Sequence, residues 1–307
     1  MKNLMPISFI VPAFNCEKTL AETLRSICRT NISHGDELII VNDGSTDSSL
    51  KIAEKFANKY SYIRLYSHEK NKGGASARNT AVSYAQNPLI FCLDSDNILM
   101  EHTVAPLKNF LLEKGADIAA FQCCFYFKDF PQNITHRWEF RPGITTLSDC
   151  FASEIVPNSS GNYLFTRKSW ELVGGYPLDS RAFDAWGFGV RQLANECKMI
   201  VLEGFGYLHR YGYQSYWVRE QSKGDNSILA RALIEPYLDR LDEESLGYIN
   251  TSPGREIWFD NLRERPLRLK GFPIGIGGNA VEGSVRLNIS LKYKIADLVH
   301  AILLKRD

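Results

Sequence analysis

The sequence contains no C-x-x-C pair, and its seven cysteines are odd in number, with Cys123 and Cys124 adjacent. That spacing excludes a zinc ribbon and argues against a disulfide framework. No apolar run approaches the roughly 20 residues that a membrane-spanning helix requires. Residues 1–14 carry one lysine and an apolar run broken by Pro12, without a small-residue cleavage site, so they read as a buried strand rather than a signal peptide. A reducing cytoplasm is the expected location. An excess of charge of one sign is missing too. Thirty-six basic residues oppose 35 acidic ones, and a formal charge of +1 supplies no global field for nucleic acid or a membrane surface. G-x-x-x-x-G-K-[ST] is absent and no G-x-G-x-x-G follows the first strand, which argues against P-loop enzymes and dinucleotide-dependent dehydrogenases. There is no internal repeat and no low-complexity tract.

What is present is an ordinary globular composition, 44% hydrophobic and 23% charged over 307 residues. That length accommodates one large domain and a smaller appendage. Over the first hundred residues, short apolar runs at 7–11, 37–42, 63–67 and 89–93 alternate with helical patterns at 17–29, 47–60 and 73–86. Such alternation predicts an α/β fold around a mostly parallel sheet, with ligands at the carboxyl ends of the strands. Three polar clusters fall at those ends: Ala13-Phe14-Asn15, Asp43-Gly44-Ser45 and Asp94-Ser95-Asp96. Beyond residue 100 the pattern is less regular, with a helix near 103–114 and a strand-like run at 117–127. From residue 222 onward the chain reads as an α-rich tail.

Asp94 and Asp96 lie two apart at a strand end, so both carboxylates face one side and can approach one hard cation, Mg²⁺ or Mn²⁺. The competing reading is a solvated Asp-Ser-Asp-Asn turn. Asp43 can accept a hydrogen bond from a base N–H while Gly44 lets a flat ring approach the backbone, or the pair is an Asp-Gly turn leading into a helix. Asn71-Lys72-Gly73-Gly74 opens the helix bearing Arg78, which sets backbone amides and two cations near a diphosphate. His209 is a further imidazole for a metal, although a lone histidine is more often packed or solvated.

These residues carry a resemblance. Ser8-Phe9-Ile10-Val11-Pro12-Ala13-Phe14-Asn15, Val41-Asn42-Asp43-Gly44-Ser45-Thr46-Asp47, Asn71-Lys72-Gly73-Gly74 through Ala77-Arg78-Asn79, and Leu93-Asp94-Ser95-Asp96 resemble the family 2 glycosyltransferases in order and spacing. The resemblance is strongest over residues 6–100 and weakens towards Trp217. It implies a GT-A fold and an inverting transfer from a nucleotide-diphospho-sugar, a UDP-sugar, to a carbohydrate or lipid-linked sugar acceptor. It implies Pro12, Ala13, Asn15, Glu17 and Ser95 around the nucleotide sugar, and Asp43 as acceptor for the uracil ring. Lys72 and Arg78 would lie near base, ribose or diphosphate, Asp94 at the ribose or a metal-bound water, and Asp96 on the metal, with His209 as a further ligand. Bacterial surface-polysaccharide synthesis is the implied setting.

The implied organisation is a catalytic domain over residues 1–220, its nucleotide-binding half at 1–100 and acceptor-binding half at 101–220, followed by a helical and loop extension over 221–307. Gly174-Gly175-Tyr176-Pro177 resembles the family's acceptor-region turn. The family then presents a Glu-Asp pair whose second acid is the base, whereas this chain reads Phe183-Asp184-Ala185-Trp186-Gly187. Asp184 is therefore the candidate base, with Asp179 and Glu203 next, and a helix-capping role is the competing reading for Asp184. Trp186, Tyr213, Tyr216 and Trp217 suit stacking on sugars, or core packing. Leu291, Ile295, Leu298, Val299 and Ile302 form an amphipathic helix among Lys292, Lys294, Lys305 and Arg306, for docking on its own domain or for peripheral contact with the inner face of a membrane. The missing Glu-Asp pair keeps a non-catalytic nucleotide-sugar binding protein as a rival. A sugar nucleotidyltransferase is disfavoured, because no Gly-rich loop with Arg and Lys follows the first strand.

Overall fold

The computed structural model describes residues 5–30, 35–151, 156–178, 180–212, 226–250, 267–273 and 280–285. Strand β1 (Ile7–Ala13) is apolar at nearly every position and buried on both faces. It lies between β2 (Glu37–Asn42) and β4 (Leu89–Cys92), with β3 (Ile63–Ser67) outside β2, and all of these pairings are parallel. Residues of β1 and β2 alternate between two cores. Phe9, Val11, Leu38 and Ile40 enter one with helices α1 (Leu20–Arg29) and α4 (Val104–Lys114). Ile10, Ile39 and Val41 enter the other with α3 (Gly74–Tyr84) and α6 (Asp184–Ala194). This two-sided burial is why the strands appear as continuous apolar runs.

Helix α1 turns Leu20, Leu24 and Ile27 inward, and α2 (Ser49–Lys59) lies beside it. Helix α3 is built from small residues, with Ala75, Ala77 and Ala81 buried, which lets its axis come close to β1 and β2. The sheet continues from β4 through β9 (Leu164–Thr166), β6 (Ile118–Phe127) and β10 (Met199–Arg210) to β5 (Ile98–Leu99). Strand β9 is antiparallel to both β4 and β6, so β6 and β10 run in the same direction as β1. Strands β7 (Ile134–Glu139) and β8 (Gly143–Thr145) join antiparallel to β6 and β10.

The second half holds more strand than its sequence pattern suggests, because β5, β8 and β9 are three residues or fewer and β7 is polar and largely exposed. Helix α5 (Arg167–Leu172) leads from β9 towards the Gly174-Gly175 turn. Beyond residue 220, α7 (Asn226–Ile234) sends Leu229, Leu233 and Ile234 into the same core as α6, so that packing unit extends past the expected boundary. Helix α8 (Glu243–Asn250) follows, and an antiparallel pair, β11 (Leu267–Pro273) and β12 (Ala280–Val285), adds strand to the tail expected to be α-rich. Among the described residues, no helix is long and apolar enough to cross a membrane. The amphipathic segment at 291–304 lies outside the described residues, as do Asp179, Tyr213, Tyr216 and Trp217.

Candidate functional site

Because β1, β2, β3, β4, β6 and β10 share a direction, their carboxyl ends open on one edge. The loop after β1 is tied to the loop after β2. Pro12 is half-buried opposite Val41 and Ala13 is buried, its carbonyl accepting from the Asp43 N–H at 2.8 Å. Asn15, exposed and in the left-handed region at φ 47°, accepts from the Thr46 N–H at 2.8 Å. The Glu17 carboxylate accepts from the Ser48 N–H at 3.0 Å, at the start of α2. Asn15 and Glu17 thus hold the two loops in register as well as lining the edge.

Asp43 is 2% exposed and its carboxylate is pinned from three directions. The Lys72 and Gly73 amides donate to Oδ1 and Oδ2, each at 2.9 Å, and His68 Nδ1 lies 2.6 Å from Oδ1. A carboxylate only accepts, so His68 donates from Nδ1, and its Nε2 lies 3.0 Å from Thr80 Oγ1. Oδ2 keeps capacity for another donor. Lys72 itself is exposed and serves Asp43 through its backbone. Gly44 is at φ 69°, and a Cβ there would lie 2.5 Å from the Lys70 carbonyl carbon, so only glycine fits.

Arg78 stands at the centre. Its Nη2 donates to Asp94 Oδ1 at 2.5 Å and its Nη1 to Asp184 Oδ2 at 2.6 Å. Burial pulls the guanidinium pKa down, but Asp184 and Asp94 more than offset this and hold it well above its ordinary value. A Cβ on Gly74 would lie 2.6 Å from Asp184 Oδ2, so α3 comes this close only with glycine at its first turn. Asn79, the next residue, receives the Trp170 Nε1–H at 3.0 Å and the Tyr176 N–H at 2.8 Å, which fastens the Gly174-Gly175-Tyr176 turn to α3.

The Asp94 N–H donates to Asn162 Oδ1 at 2.8 Å, and Asn162 Nδ2 returns a bond to Asp94 Oδ2 at 3.2 Å. The Ser95 carbonyl accepts from Thr19 Oγ1 at 3.0 Å, which joins this loop to α1. Asp96 is half-buried, and among the described residues no other side chain hydrogen-bonds its carboxylate. Burial first, then the neighbouring Asp94, push it up to about 7. Arg210 braces the turn from behind, donating to the Asp96 carbonyl at 3.2 Å and pairing with Glu22. Burial lowers His209 to about 4, so its ring is neutral, and Nδ1 is 3.2 Å from the Tyr207 hydroxyl.

A half-buried carboxylate with no cationic partner in contact, beside a second acid, suits a divalent cation. No group of three His, Cys, Asp or Glu side chains able to hold a metal occurs among the described residues, so a cation at Asp96 would take further oxygens from diphosphate and water.

Asp184 is 3% exposed and opens α6. Its Oδ1 accepts from the Ala185 N–H at 2.7 Å and Oδ2 from Arg78. Burial, opposed by Arg78, raises its pKa. Glu203 is exposed at the register shift in β10. Trp186 departs from the sugar-stacking expectation: it is buried, edge-on to Phe151 and Phe183, in the core under α6. Pattern reading missed His68, Asn162, Tyr207 and Arg210. His68 alone left a signal, as the polar residue directly after β3 in the way Asp43 follows β2.

Residues 8–173 match the glycosyl transferase family 2 description, which is more than half of the chain. The chain belongs to that family. It is 37% identical over 113 residues to glycosyltransferase GlyG of Streptococcus pneumoniae serotype 4, covering 36% of this chain and 37% of that protein. Over 117 residues it is 32% identical to poly(ribitol-phosphate) beta-N-acetylglucosaminyltransferase TarS of Staphylococcus aureus, covering 38% of this chain and 20% of that one. The match thus spans little more than a third of these relatives at most. Among solved structures, S. aureus TarS 1–349 in complex with UDP-GlcNAc superposes with a TM-score of 0.62 at 21% identity, over 78% of this chain and 69% of that one. Mannosyltransferase PcManGT from Pyrobaculum calidifontis, in complex with GDP-Man and Mn²⁺, gives 0.57 at 18% identity, over 81% and 70%. At these identities the structural neighbours speak for a shared GT-A fold.

Proposed function

We propose that this family 2 chain is an inverting glycosyltransferase that moves a sugar from a UDP-sugar to a carbohydrate hydroxyl, in the synthesis of a bacterial surface polysaccharide. The observation that carries the reading is the joining of Asp94, Arg78 and Asp184 at the strand-end edge that also holds Asp43. The open capacity of Asp43 Oδ2 suits the uracil N3–H, whereas cytosine presents an acceptor at N3 and its donor only at the exocyclic N4. Lys72 and the amino end of α3 favour the diphosphate. Asp96, beside Asp94, would hold a divalent cation together with oxygens of the diphosphate and water, and the cation would stabilise charge on the departing diphosphate. His209, the further ligand expected from the sequence, lies with Nδ1 3.2 Å from the Tyr207 hydroxyl and does not form a three-residue metal group with Asp94 and Asp96 among the described residues.

In the transfer, the acceptor oxygen bonds to the anomeric carbon as the bond from that carbon to the β-phosphate oxygen breaks, and UDP leaves. Asp184 takes the hydroxyl proton, and burial raises its basicity. A second reading, nucleotide-sugar binding without transfer, is favoured by one observation: both Asp184 oxygens already have partners. Release of UDP from a panel of UDP-sugars, with Mg²⁺ and with Mn²⁺, tests the choice. Release that depends on a saccharide acceptor supports transfer, and tight UDP binding with no release on any acceptor supports binding alone.

A further inference from the structure

The C-terminal parts of α1 and α2 enclose a groove of about 410 Å³, room enough for a phosphate-bearing headgroup. Its rim carries Arg25 and Arg29 from α1 and Lys55 and Lys59 from α2. All four are exposed, and among the described residues none has a carboxylate partner. No acid lines the groove. Its floor is formed by the half-buried rings of Phe56 and Tyr60, with Lys59 Nζ 5.0 Å from the Tyr60 centroid.

This arrangement works against the helices that carry it. Arg25 and Arg29 are four apart on α1, Lys55 and Lys59 four apart on α2, and like charges at that spacing repel. The helix dipoles account for half of the cluster, because Arg29 and Lys59 lie in the last turns beside the free carbonyls. Arg25 and Lys55 lie a turn earlier, beyond the reach of that effect. The groove is also separate from the donor edge, which α1 meets at its other end, where Thr19 bonds the Ser95 carbonyl. With 36 basic and 35 acidic residues in the whole chain, four cations in one groove without an acid are a local excess rather than a share of a general one.

We propose that this groove docks the chain on an anionic phospholipid surface, with Arg25, Arg29, Lys55 and Lys59 set against headgroup phosphates. The contact lies beyond the transfer reaction and does not depend on it. Charge complementarity selects the occupant. A single small anion is a poor one, because the four charged ends are spread over an open rim and the helix C-termini repel it. A membrane leaflet presents many phosphates at once, and each exposed Lys or Arg near it adds its own attraction. The long stems can lie along the apolar floor with their charged ends among the headgroups, and a tyrosine ring suits that boundary. Because α1 turns Leu20, Leu24 and Ile27 inward, the groove opens on the outer side of the helix pair. A chain docked there keeps the carboxyl-end edge of its sheet open to the donor.

The test floats the full chain with two kinds of vesicle, phosphatidylcholine alone and phosphatidylcholine with phosphatidylglycerol in equal parts. The wild type should bind the second and not the first, and its binding should weaken as salt is raised. Arg25→Gln with Lys55→Gln should weaken partitioning at least about tenfold, since each cation near the surface is worth about fivefold. Each single variant should lose about fivefold, so the result does not hang on the double variant alone. Arg25→Lys with Lys55→Arg keeps both charges and should retain binding, which separates charge from packing. Circular dichroism and urea midpoints matching the wild type show that the variants are folded. A wild type with no preference for the anionic vesicles overturns the proposal. So does a double Gln variant that binds as the wild type does, which places the contact elsewhere, as on the basic segment 291–304. A charge-preserving variant that loses as much as the Gln variant overturns it too. Binding of soluble polyphosphate without binding of vesicles assigns the groove to a free polyanion and rejects the membrane.

Discussion

His68 Nδ1 sits 2.6 Å from Asp43 Oδ1, in a buried pair at the ends of β3 and β2. The imidazole fixes the direction of the carboxylate that is proposed to read the base.

Asp43→Ala should weaken UDP binding by about 1.5–3 kcal/mol, the usual worth of a hydrogen bond to a charged group. His68→Phe keeps an aromatic ring and removes the bonds to Asp43 and Thr80, of which only the first touches the carboxylate, so its effect on UDP binding should be smaller, about 1 kcal/mol. CDP, whose ring presents an acceptor at N3 and a donor only at N4, should bind the wild type more weakly than UDP and should lose less on Asp43→Ala. Calorimetry on the folded variants decides, and equal UDP affinity in wild type and Asp43→Ala would remove Asp43 from the base pocket.

Arg78→Ala leaves Asp94 and Asp184 without their shared cation, and removing one partner of a buried pair costs about 3–5 kcal/mol. Arg78→Lys should restore little, because a point charge cannot bond two carboxylates through a planar fork. Urea unfolding measures both variants. A loss below about 1 kcal/mol for Arg78→Ala would mean that the carboxylates are solvated and that the bridge contributes no cohesion.

Asp96 titrates near 7, above its ordinary 3.8, so between those values it is protonated in the folded chain and charged in the unfolded one. The stability this contributes is full below 3.8 and is lost as pH rises towards 7. A cation entering below pH 7 must displace the proton, so Mn²⁺ affinity in the presence of UDP should fall as pH drops through 7, approaching about tenfold per unit. Asp96→Asn should abolish both slopes. Mn²⁺ affinity that is flat between pH 8 and 5 would show that Asp96 does not hold the ion.

Asp184→Asn keeps the side chain's size and its bond from the Ala185 amide while removing its basicity. With Asp184 as the general base, kcat should fall by about 10²–10⁴-fold with UDP affinity preserved. With Asp184 only as the counter-ion of Arg78, the variant should instead lose stability and turn over at close to the wild-type rate. Parallel kinetics and urea unfolding separate the two outcomes.

The first four parallel strands and their helices were legible because each is a local pattern: a two-face apolar run, a strand-end acid, a glycine before a helix. The short strands β5, β8 and β9 and the exposed β7 have no such pattern, since two or three residues cannot display a period and an edge strand need not be apolar. The same limit governed the site. Asp43, Asp94 and Asp96 announced themselves by position, whereas Asn162 and Arg210 matter through the Asp94–Asp96 loop they hold, and nothing in their neighbours marks them.

By itself the sequence determined the family, the parallel nucleotide-binding half and the edge at which its acids lie, because those properties reside in segments of ten residues or fewer. Only the tertiary structure decided how the acids are partnered. Arg78 and Asp184 are 106 residues apart in the chain, and their bond exists because α3 and the start of α6 pack on one face of the sheet with glycine between them. The same packing buried Trp186 and set Tyr126, His136 and His209 in one row. Which side chains meet across a sheet is fixed by strand order and register, and those follow from the burial of the whole core rather than from any one segment.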